Sequence, residues 1–587
     1  MKKAILLILI SLSASAQNFN FQRSWGTYFG DERFFLKDSK TDKQGNLYLV
    51  GVFINGTSTT QPLFSTPNSL QPTFGGGDSD GFIAKFNNLG QLTWATYFGG
   101  SDIDLIEGVD FDISGNVYIV GATQSSSNIA TINTNQTTLN GISDFFIAKF
   151  NPTGTLQWCT YYGGSEGEGY DINNPFSYEN RIFISHDNSN NFYIAGYTFS
   201  QNLGTLDTFQ PTINQSNQVI AKFDNDSNRI WTTYYSFNGN RMLALKATTT
   251  ALYVRGRINN CNPSFPTDNN YYGSANGYQP TSLNCFNTFL SKFTSTGQRE
   301  WSTYYAENNG TSRKSLDVFE DKVYFSGTSS SNLVTTSGVF QESAGQERPP
   351  YLVQFTENGT RDWGTYNGSN TGFPAFGGSY DANYTSIDES GGIYLSGVTS
   401  LHSNFATTGA YQANLIGQTD GYVCKFDNQG QKIWGTYYGG NLFEYDMIMQ
   451  PSNNNNFYVV GTSSSTTGLT TPNCYQPSIS TYDIDNGTPQ NIFIAYFTPR
   501  PLSTQTFETL NISLYPNPNN GNFTISCKND FLVNSNLEIF DILGKRLFQQ
   551  KLYKNETVIN LINFSKGIYI TKITKNDTVL NSKISVE

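Results

Sequence analysis

All seven tryptophans of this 587-residue chain fall in one local pattern, Trp-x-Thr-Tyr. They are Trp25, Trp94, Trp158, Trp231, Trp301, Trp363 and Trp434, at intervals of 69, 64, 73, 70, 62 and 71 residues. No tryptophan is left over. Placing a whole residue type in this way requires internal repetition, and a repeat of this period restricts the chain to a repeat architecture.

Two further segments recur in step. One ends in glycine: NLYLVG (46–51), NVYIVG (116–121), NFYIAG (191–196), LYVRG (252–256), VYFSG (323–327), IYLSG (393–397) and FYVVG (457–461). The other reads FIAKF (82–86 and 146–150), VIAKF (219–223), FLSKF (289–293), YLVQF (351–355), YVCKF (422–426) and FIAYF (493–497). Each is a short apolar run, rich in β-branched and aromatic residues, with Gly, Asn or Asp turns at its ends. In the second unit, Gly108–Asp112 and Val117–Gly121 form one hairpin, and Phe145–Phe150 with Leu156–Tyr162 a second. Four strands per unit, seven times over, predict a seven-bladed β-propeller with one sheet per blade. A row of separate small sandwiches is the competing arrangement, but four strands alone bury little without a stacked neighbour.

The phase of the repeat favours a closed ring. The chain opens with a Trp strand (23–29), and the seventh FIAKF-type strand, at 493–497, has none after it. A ring lets the first strand complete the last sheet and removes an open edge. Composition agrees with an all-β chain: aromatics are 15% and charged residues only 14%. Aromatic residues suit a pleated surface and Asn and Gly suit turns.

Lys2 and Lys3, the apolar run 4–12 and Ala14-Ser15-Ala16 read as a secretory signal, with the mature chain starting near Gln17. No later stretch has the ~20 apolar residues of a membrane-spanning helix, so no transmembrane segment is expected in the mature chain. Cys261 and Cys285 flank one Asn/Pro/Tyr-rich loop, and an oxidising compartment would allow a disulfide between them. Cys159 and Cys424 lie inside strands and read as buried thiols. Residues 17–498 hold 23 basic and 39 acidic side chains, a balance of −16. Such a surface repels phosphates, so no nucleic-acid partner is expected.

The succession GNVYIVGAT, then FQP or YQP, then DGFIAKFN-x-x-G-x-x-x-W resembles the SBBP-type β-propeller repeats of bacterial exported proteins. Its glutamine stands at Gln71, Gln210, Gln279, Gln341, Gln412 and Gln476, and reads as missing from the second blade. The resemblance covers about 22–498 and implies architecture, not a single activity. After Phe497 the composition changes, with a linker over 499–511. Beyond it stand Tyr515-Pro516-Asn517-Pro518, Gly521, Asp541-x-x-Gly544, Gly567-Ile568-Tyr569 and Lys583, among short alternating strands that predict a small Ig-like β-sandwich. This combination is similar to the type A C-terminal sorting domain of cargo of the Bacteroidetes type IX secretion system. The resemblance implies export through the periplasm, recognition by the outer-membrane machinery, and release or attachment at the cell surface. The expected organisation is a signal peptide at 1–16, a propeller at 17–498, the linker at 499–511 and a sorting domain at 512–587.

Chemistry is sparse. The two histidines, His186 and His402, sit in no nucleophile motif and read as surface-loop residues. Carboxylates gather after the YFGG segment, at Asp102, Asp104 and Glu107, at Glu166, Glu168 and Asp171, and at Glu444 and Asp446. That segment leads into the innermost strand, which points these acids toward a central channel. Asp102, Asp104, Glu168, Asp171 and Asp446 are the calcium candidates, but no EF-hand loop is present, and solvated acids that satisfy backbone donors are the favoured reading. Ala84…Gly90…Trp94 and Ala148…Gly154…Trp158 share the spacing of tryptophan-docking repeats in quinoprotein dehydrogenases, where the indole packs between blades. Phe86 and Phe150 stand where that family has Asp, so no cofactor is expected. The leading functional reading is a secreted or cell-surface, non-enzymatic binding or adhesion module for glycan or protein. The alternative is a polysaccharide-active hydrolase or lyase using channel acids.

Overall fold

The computed structural model describes residues 19–56, 64–169, 181–213, 218–236, 241–259, 271–282, 286–307, 314–344, 349–368, 383–400, 405–479, 490–500, 512–527, 530–575 and 578–587. The chain divides into two units, 1–499 and 500–587. The first is a seven-bladed β-propeller, built from seven four-stranded antiparallel sheets. Blade 1 runs Phe34–Thr41, Leu47–Ile54, Ser79–Phe86 and Leu92–Phe98 in both sequence and space. Blade 2 repeats it over Asp104–Phe111, Val117–Thr123, Asp144–Phe150 and Leu156–Tyr162. Blades 3 to 6 begin at Phe183, Arg241, Leu316 and Asn383 and end at Tyr234, Glu307, Tyr366 and Tyr438. Blade 7 takes Glu444–Pro451, Phe457–Ser463 and Asn491–Pro499 from the end of the unit, and its outer strand, Phe21–Phe29, from the beginning. Trp25 lies opposite Tyr496 and Tyr28 opposite Phe493 in that closing pair.

The core lies between blades, because each sheet buries both faces against its neighbours. Leu47, Leu49 and Phe82 of blade 1 share one cluster with Tyr458, Val460 and Ile494 of blade 7. Tyr48, Val50 and Ile83 share another with Ile119, Phe146 and Ala148 of blade 2. This explains why the repeated strands read as continuous apolar runs rather than as clean alternation.

Each letter of the repeat has a packing duty. Five indole Nε1 groups donate to a main-chain carbonyl in the turn of the next blade: Trp25 to Asn88, Trp94 to Pro152, Trp231 to Ser295, Trp301 to Glu357 and Trp363 to Asn428, at 2.8–3.3 Å. Trp158 and Trp434 stack on Phe192 and Phe457 of the following blade. Beneath the five bonded indoles lie Gly90, Gly154, Gly297, Gly359 and Gly430, all at positive φ, where an added Cβ would meet the ring at 2.8–3.0 Å. Only glycine satisfies both demands without strain. The Thr of Trp-x-Thr-Tyr accepts the backbone N–H of the loop glutamine in all seven blades, at 2.7–3.1 Å. The second blade is among them, through Gln136, so the element expected to be missing there is present. It lacks only the aromatic residue before it and the proline after it.

The lysine of FIAKF is also spoken for. Lys85, Lys149, Lys222 and Lys425 lie 4.8–5.1 Å over the rings of Tyr48, Tyr118, Tyr193 and Tyr394. The same four ammonium groups reach Asp42, Asp112, Asp187 and Asp388 at 3.3–3.8 Å. Each of those aspartates caps its hairpin turn by accepting backbone N–H groups two and four residues on.

The second unit is an Ig-like sandwich of a three-stranded and a four-stranded sheet. Phe523, Ile525, Ile559, Leu537, Ile539, Ile573 and Ile584 fill the space between them. The Tyr515–Pro516 and Asn517–Pro518 peptide bonds are cis. Asn517 is pinned to the last strand, donating to the Lys583 carbonyl at 2.9 Å and accepting from Ser585 N–H at 2.8 Å. Gly521 N–H bonds the Asn519 side chain. Asp541 and Gly544 close a tight turn, and the Tyr569 hydroxyl donates to the Ser565 carbonyl. Among the described residues no helix is long and apolar enough to cross a membrane.

Candidate functional site

The first strand of every blade contributes to a central cavity of about 140 Å³, lined among others by Asp38, Ser185, Lys246, Asp317, Tyr384 and Gln450. Its acids are paired. Lys314 Nζ meets Asp38 at 2.8 Å and Lys246 meets Asp317 at 2.6 Å; Glu107, next to the lining residue Gly108, takes Lys37 at 2.7 Å and Arg181 at 3.0 Å. Burial pushes the Glu107 carboxyl up, but Lys37 and Arg181 outweigh it and hold the group below its ordinary range. Asp110 is likewise buried yet held well below the usual carboxylate range by Lys40 and His186. Three of these acids also join neighbouring blades: Asp38 accepts from Val109 N–H, Asp110 from His186 N–H and Asp317 from Ile387 N–H.

His186 departs from its expected place on an exposed loop. Its side chain is 4% exposed, with Nδ1 3.3 Å from Asp110 and the ring 4.2 Å from that of Tyr118. It reaches a cavity of about 580 Å³ at one end of the channel, together with Lys40, Lys43, Asp187, Lys246 and Glu320. His402 lies outside the described residues, as do Asp171, Cys261 and Cys285. Cys159 and Cys424 are fully buried, and burial pushes both thiols up.

The remaining calcium candidates are dispersed over different blades. Asp102 is exposed; Asp104 and Glu168 are buried in separate junctions; Asp446 accepts from the Tyr384 hydroxyl at 2.8 Å. No group of three or more His, Cys, Asp or Glu is placed to hold a metal ion among the described residues.

Three blade junctions instead hold a buried pair of acids: Asp80 with Asp104, Asp144 with Glu168, and Asp420 with Glu444. Asp80 Oδ2 accepts from Gln71 Nε2 at 2.8 Å and Gly75 N–H at 2.6 Å; Asp104 Oδ2 accepts from Gly100 N–H at 2.6 Å and Ser125 Oγ at 2.8 Å. The second oxygens, Asp80 Oδ1 and Asp104 Oδ1, are buried without a hydrogen-bond donor, as are Asp144 Oδ1 and Glu444 Oε2. The two acids converge on a glycine: a Cβ on Gly439 would lie 2.5 Å from Asp420 Oδ1 and 2.6 Å from Glu444 Oε2. Burial, with the neighbouring acid adding to it, pushes Asp80 and Glu444 up to about 7, and burial pushes Asp104 up to about 6. The Asp80–Asp104 and Asp420–Glu444 pairs therefore retain a proton toward neutral pH, and burial raises Asp144 and Glu168 in the same direction. Sequence reasoning missed these pairs, although each is separated by the same 24 residues. Where blade 7 meets blade 1 both acids are gone: Asn491 holds the first place and Phe34 the second, as the matching registers of Leu36 on Gly51 and Ile106 on Gly121 show.

On the rim, two grooves open beside blade 1. The larger, about 1200 Å³, lies against blade 7 and includes Trp25, Phe64, Asn88, Gln91, Asn473 and Tyr475. The smaller, about 520 Å³, lies against blade 2 and includes Leu70, Trp94 and Thr153.

Residues 93–129 match the family described as a beta-propeller repeat, and residues 513–587 the family described as a secretion system C-terminal sorting domain. An ulvan lyase of Nonlabens ulvanivorans is 34% identical over 87 residues, which is 14% of this chain and 16% of that protein. The aligned part thus spans about one sixth of the relative's length. Among solved structures, PorZ, a surface component of the type IX secretion system of Porphyromonas gingivalis, aligns over 94% of this chain and 82% of its own at 9% identity and a TM-score of 0.21. A polysaccharide lyase acting on ulvan aligns over 76% of this chain and 93% of its own at 8% identity and a TM-score of 0.34. The architecture rests on sheet order and register rather than on these distant likenesses. With SBBP-type repeats in its ring and a type IX sorting domain as its last unit, the chain is a secreted or cell-surface β-propeller protein.

Proposed function

We propose that the propeller is a non-enzymatic binding module, displayed outside the cell for adhesion to glycan. The observation that carries this reading is the division of the acids. Those in the central cavity are neutralised by lysine and arginine, while those with raised proton affinity are sealed in blade junctions away from the cavity. A glycosidase needs one accessible protonated acid and one accessible carboxylate facing the same bond, and the described channel supplies neither as a free pair. The tail fits the same role, since its sorting domain engages the type IX machinery and leaves the ring as the part presented to the outside.

Affinity electrophoresis of the full chain through gels containing single polysaccharides tests the proposal. Retardation by at least one polysaccharide whose chain length stays unchanged is expected. Free migration in every gel, or shortening of the polymer, would refute it. Shortening abolished by His186→Ala would redirect attention to the channel end, where His186 and Asp110 meet.

A further inference from the structure

Four blade junctions share one aromatic–cation contact on the rim, so a junction that keeps the aromatic and loses the cation is informative. The residue before the loop glutamine lies on the rim beside the outer strand of the next blade. It is aromatic in five blades: Phe209, Tyr278, Phe340, Tyr411 and Tyr475. The first four are capped by a cation standing two residues before the next blade's tryptophan. Arg299 lies 4.3 Å over Phe209, Arg361 4.8 Å over Tyr278, Lys432 4.3 Å over Phe340 and Arg23 5.9 Å over Tyr411. For Tyr475 the corresponding residue, two before Trp94, is Leu92. No cation–ring contact covers Tyr475 among the described residues; the residue is exposed to about the same extent as capped Tyr278, at 42% against 40%, and its ring rests on Phe29 and Phe86.

The groove that opens there has a volume of about 1200 Å³. None of its described lining residues is Asp, Glu, Lys, Arg or His, although the chain carries a net charge of −11. Ser, Thr, Asn and Gln surround the aromatic floor instead. Thr66 and Pro67 belong also to the 520 Å³ groove on the other side of blade 1, whose lining is equally uncharged. The channel-end cavity, in contrast, is lined with charges of both signs.

From these features we infer that the groove between blades 7 and 1 binds a neutral oligosaccharide, with one sugar ring stacked on Tyr475 and the chain running across Thr66 and Pro67. A pyranose offers a face of C–H groups to an aromatic ring and hydroxyls at its edge to amides and hydroxyls, which is the mixture this groove presents. A sulfated or uronic-acid polymer fits poorly, because its charges would be desolvated against a wall with no counter-charge. The inference rests on the binding role proposed above and adds the site and the ligand class.

The test is isothermal titration of the full chain with neutral hexasaccharides (cellohexaose, mannohexaose, xylohexaose and maltohexaose) and with the anionic hexagalacturonate. Four variants accompany it: Tyr475→Ala, Leu92→Lys, Leu92→Ala and Tyr278→Ala. Binding of a neutral probe is expected, weakened about tenfold or more by Tyr475→Ala. Leu92→Lys should weaken it comparably, because it reproduces the cation cap of the other four junctions, whereas Leu92→Ala should have a smaller effect. Tyr278→Ala should leave binding unchanged, and thermal melts establish that each variant is folded. Binding of no neutral probe, or preference for the anionic one, overturns the inference. Neutral-glycan binding insensitive to both Tyr475→Ala and Leu92→Lys overturns the site while leaving the binding role standing; cleavage of the probe overturns both.

Discussion

The indole Nε1 of Trp25 donates to the carbonyl oxygen of Asn88 at 2.8 Å, and that bond crosses the seam where the first strand of the chain meets blade 1. Trp25 is 9% exposed, and its Tyr458 and Tyr496 neighbours belong to strands more than 400 residues away in sequence. Trp25→Ala should therefore cost about 3–5 kcal/mol, as for other buried large-to-small changes. Chemical denaturation followed by circular dichroism measures it. A cost below about 1 kcal/mol would mean that the seam does not hold the ring.

The glycines beneath the indoles allow the same idea to be tested from the other side. Gly90 and Gly115 both have φ near +80, but a Cβ on Gly90 would meet the Trp25 ring at 2.9 Å while one on Gly115 meets nothing within 4 Å. Gly115→Ala should lose only the conformational part, about 1–2 kcal/mol. Gly90→Ala should lose that and a further 1–3 kcal/mol or so from overpacking. Equal losses in denaturant titrations would exclude a tight indole seat.

The buried acid pairs give the ring a pH dependence of defined sign. An acid whose affinity for the proton is raised on folding keeps it while the unfolded chain has already released it. Stability contributed by the shared proton is therefore complete below about pH 4, falls as pH rises toward 7, and levels off above it. The slope is on the order of 1 kcal/mol per pH unit for each retained proton. Asp80→Asn keeps an acceptor for Gln71 and Gly75 and can donate to Asp104, so it should flatten that slope and stabilise the protein at pH 8. Melting curves from pH 5 to 8 decide it; identical slopes in wild type and variant would contradict the pairing.

Glu107 neutralises two cations in the channel wall, Lys37 at 2.7 Å and Arg181 at 3.0 Å. Removing its charge takes a close counter-charge from both partly buried cations, so Glu107→Gln should destabilise by about 3–5 kcal/mol. Glycan binding, measured where the variant is still folded, should be unchanged. Loss of binding without loss of stability would place the ligand in the channel rather than on the rim.

The sorting tail makes a cellular prediction. Deletion of residues 513–587 should leave the ring inside the cell envelope, and fractionation of the source organism followed by blotting reads this directly. Unchanged surface or culture-medium levels would show that the tail is not the export signal.

Strands and repeat number were legible because packing between blades imposes the same residues at every turn of the ring. The tryptophan of Trp-x-Thr-Tyr was legible as a residue packing between blades, but the partner of the threonine lies in a distant loop, so its role was not. Gln136 escaped notice because Asn135 and Thr137 give it neither the preceding aromatic nor the following proline, of which each other glutamine has at least one. His186 read as a loop residue because its turn is polar, yet burial against Tyr118 is set by the adjoining blade. Of each acid pair only the second member, Asp104, Glu168 or Glu444, was read, and it was assigned to the channel. Their 24-residue offset, repeated three times, was the available signal. The uncapped ring of Tyr475 had a similar trace in the sequence, since Leu92 stands where five other blades place Arg or Lys.

The binding role is tested most directly by incubating the full chain with neutral and anionic polysaccharides and following, in one experiment, the bound fraction and the polymer length by size-exclusion chromatography with light scattering. The expected result is a bound neutral polymer whose length is unchanged after prolonged incubation. A polymer that shortens in proportion to the amount of protein added would contradict it.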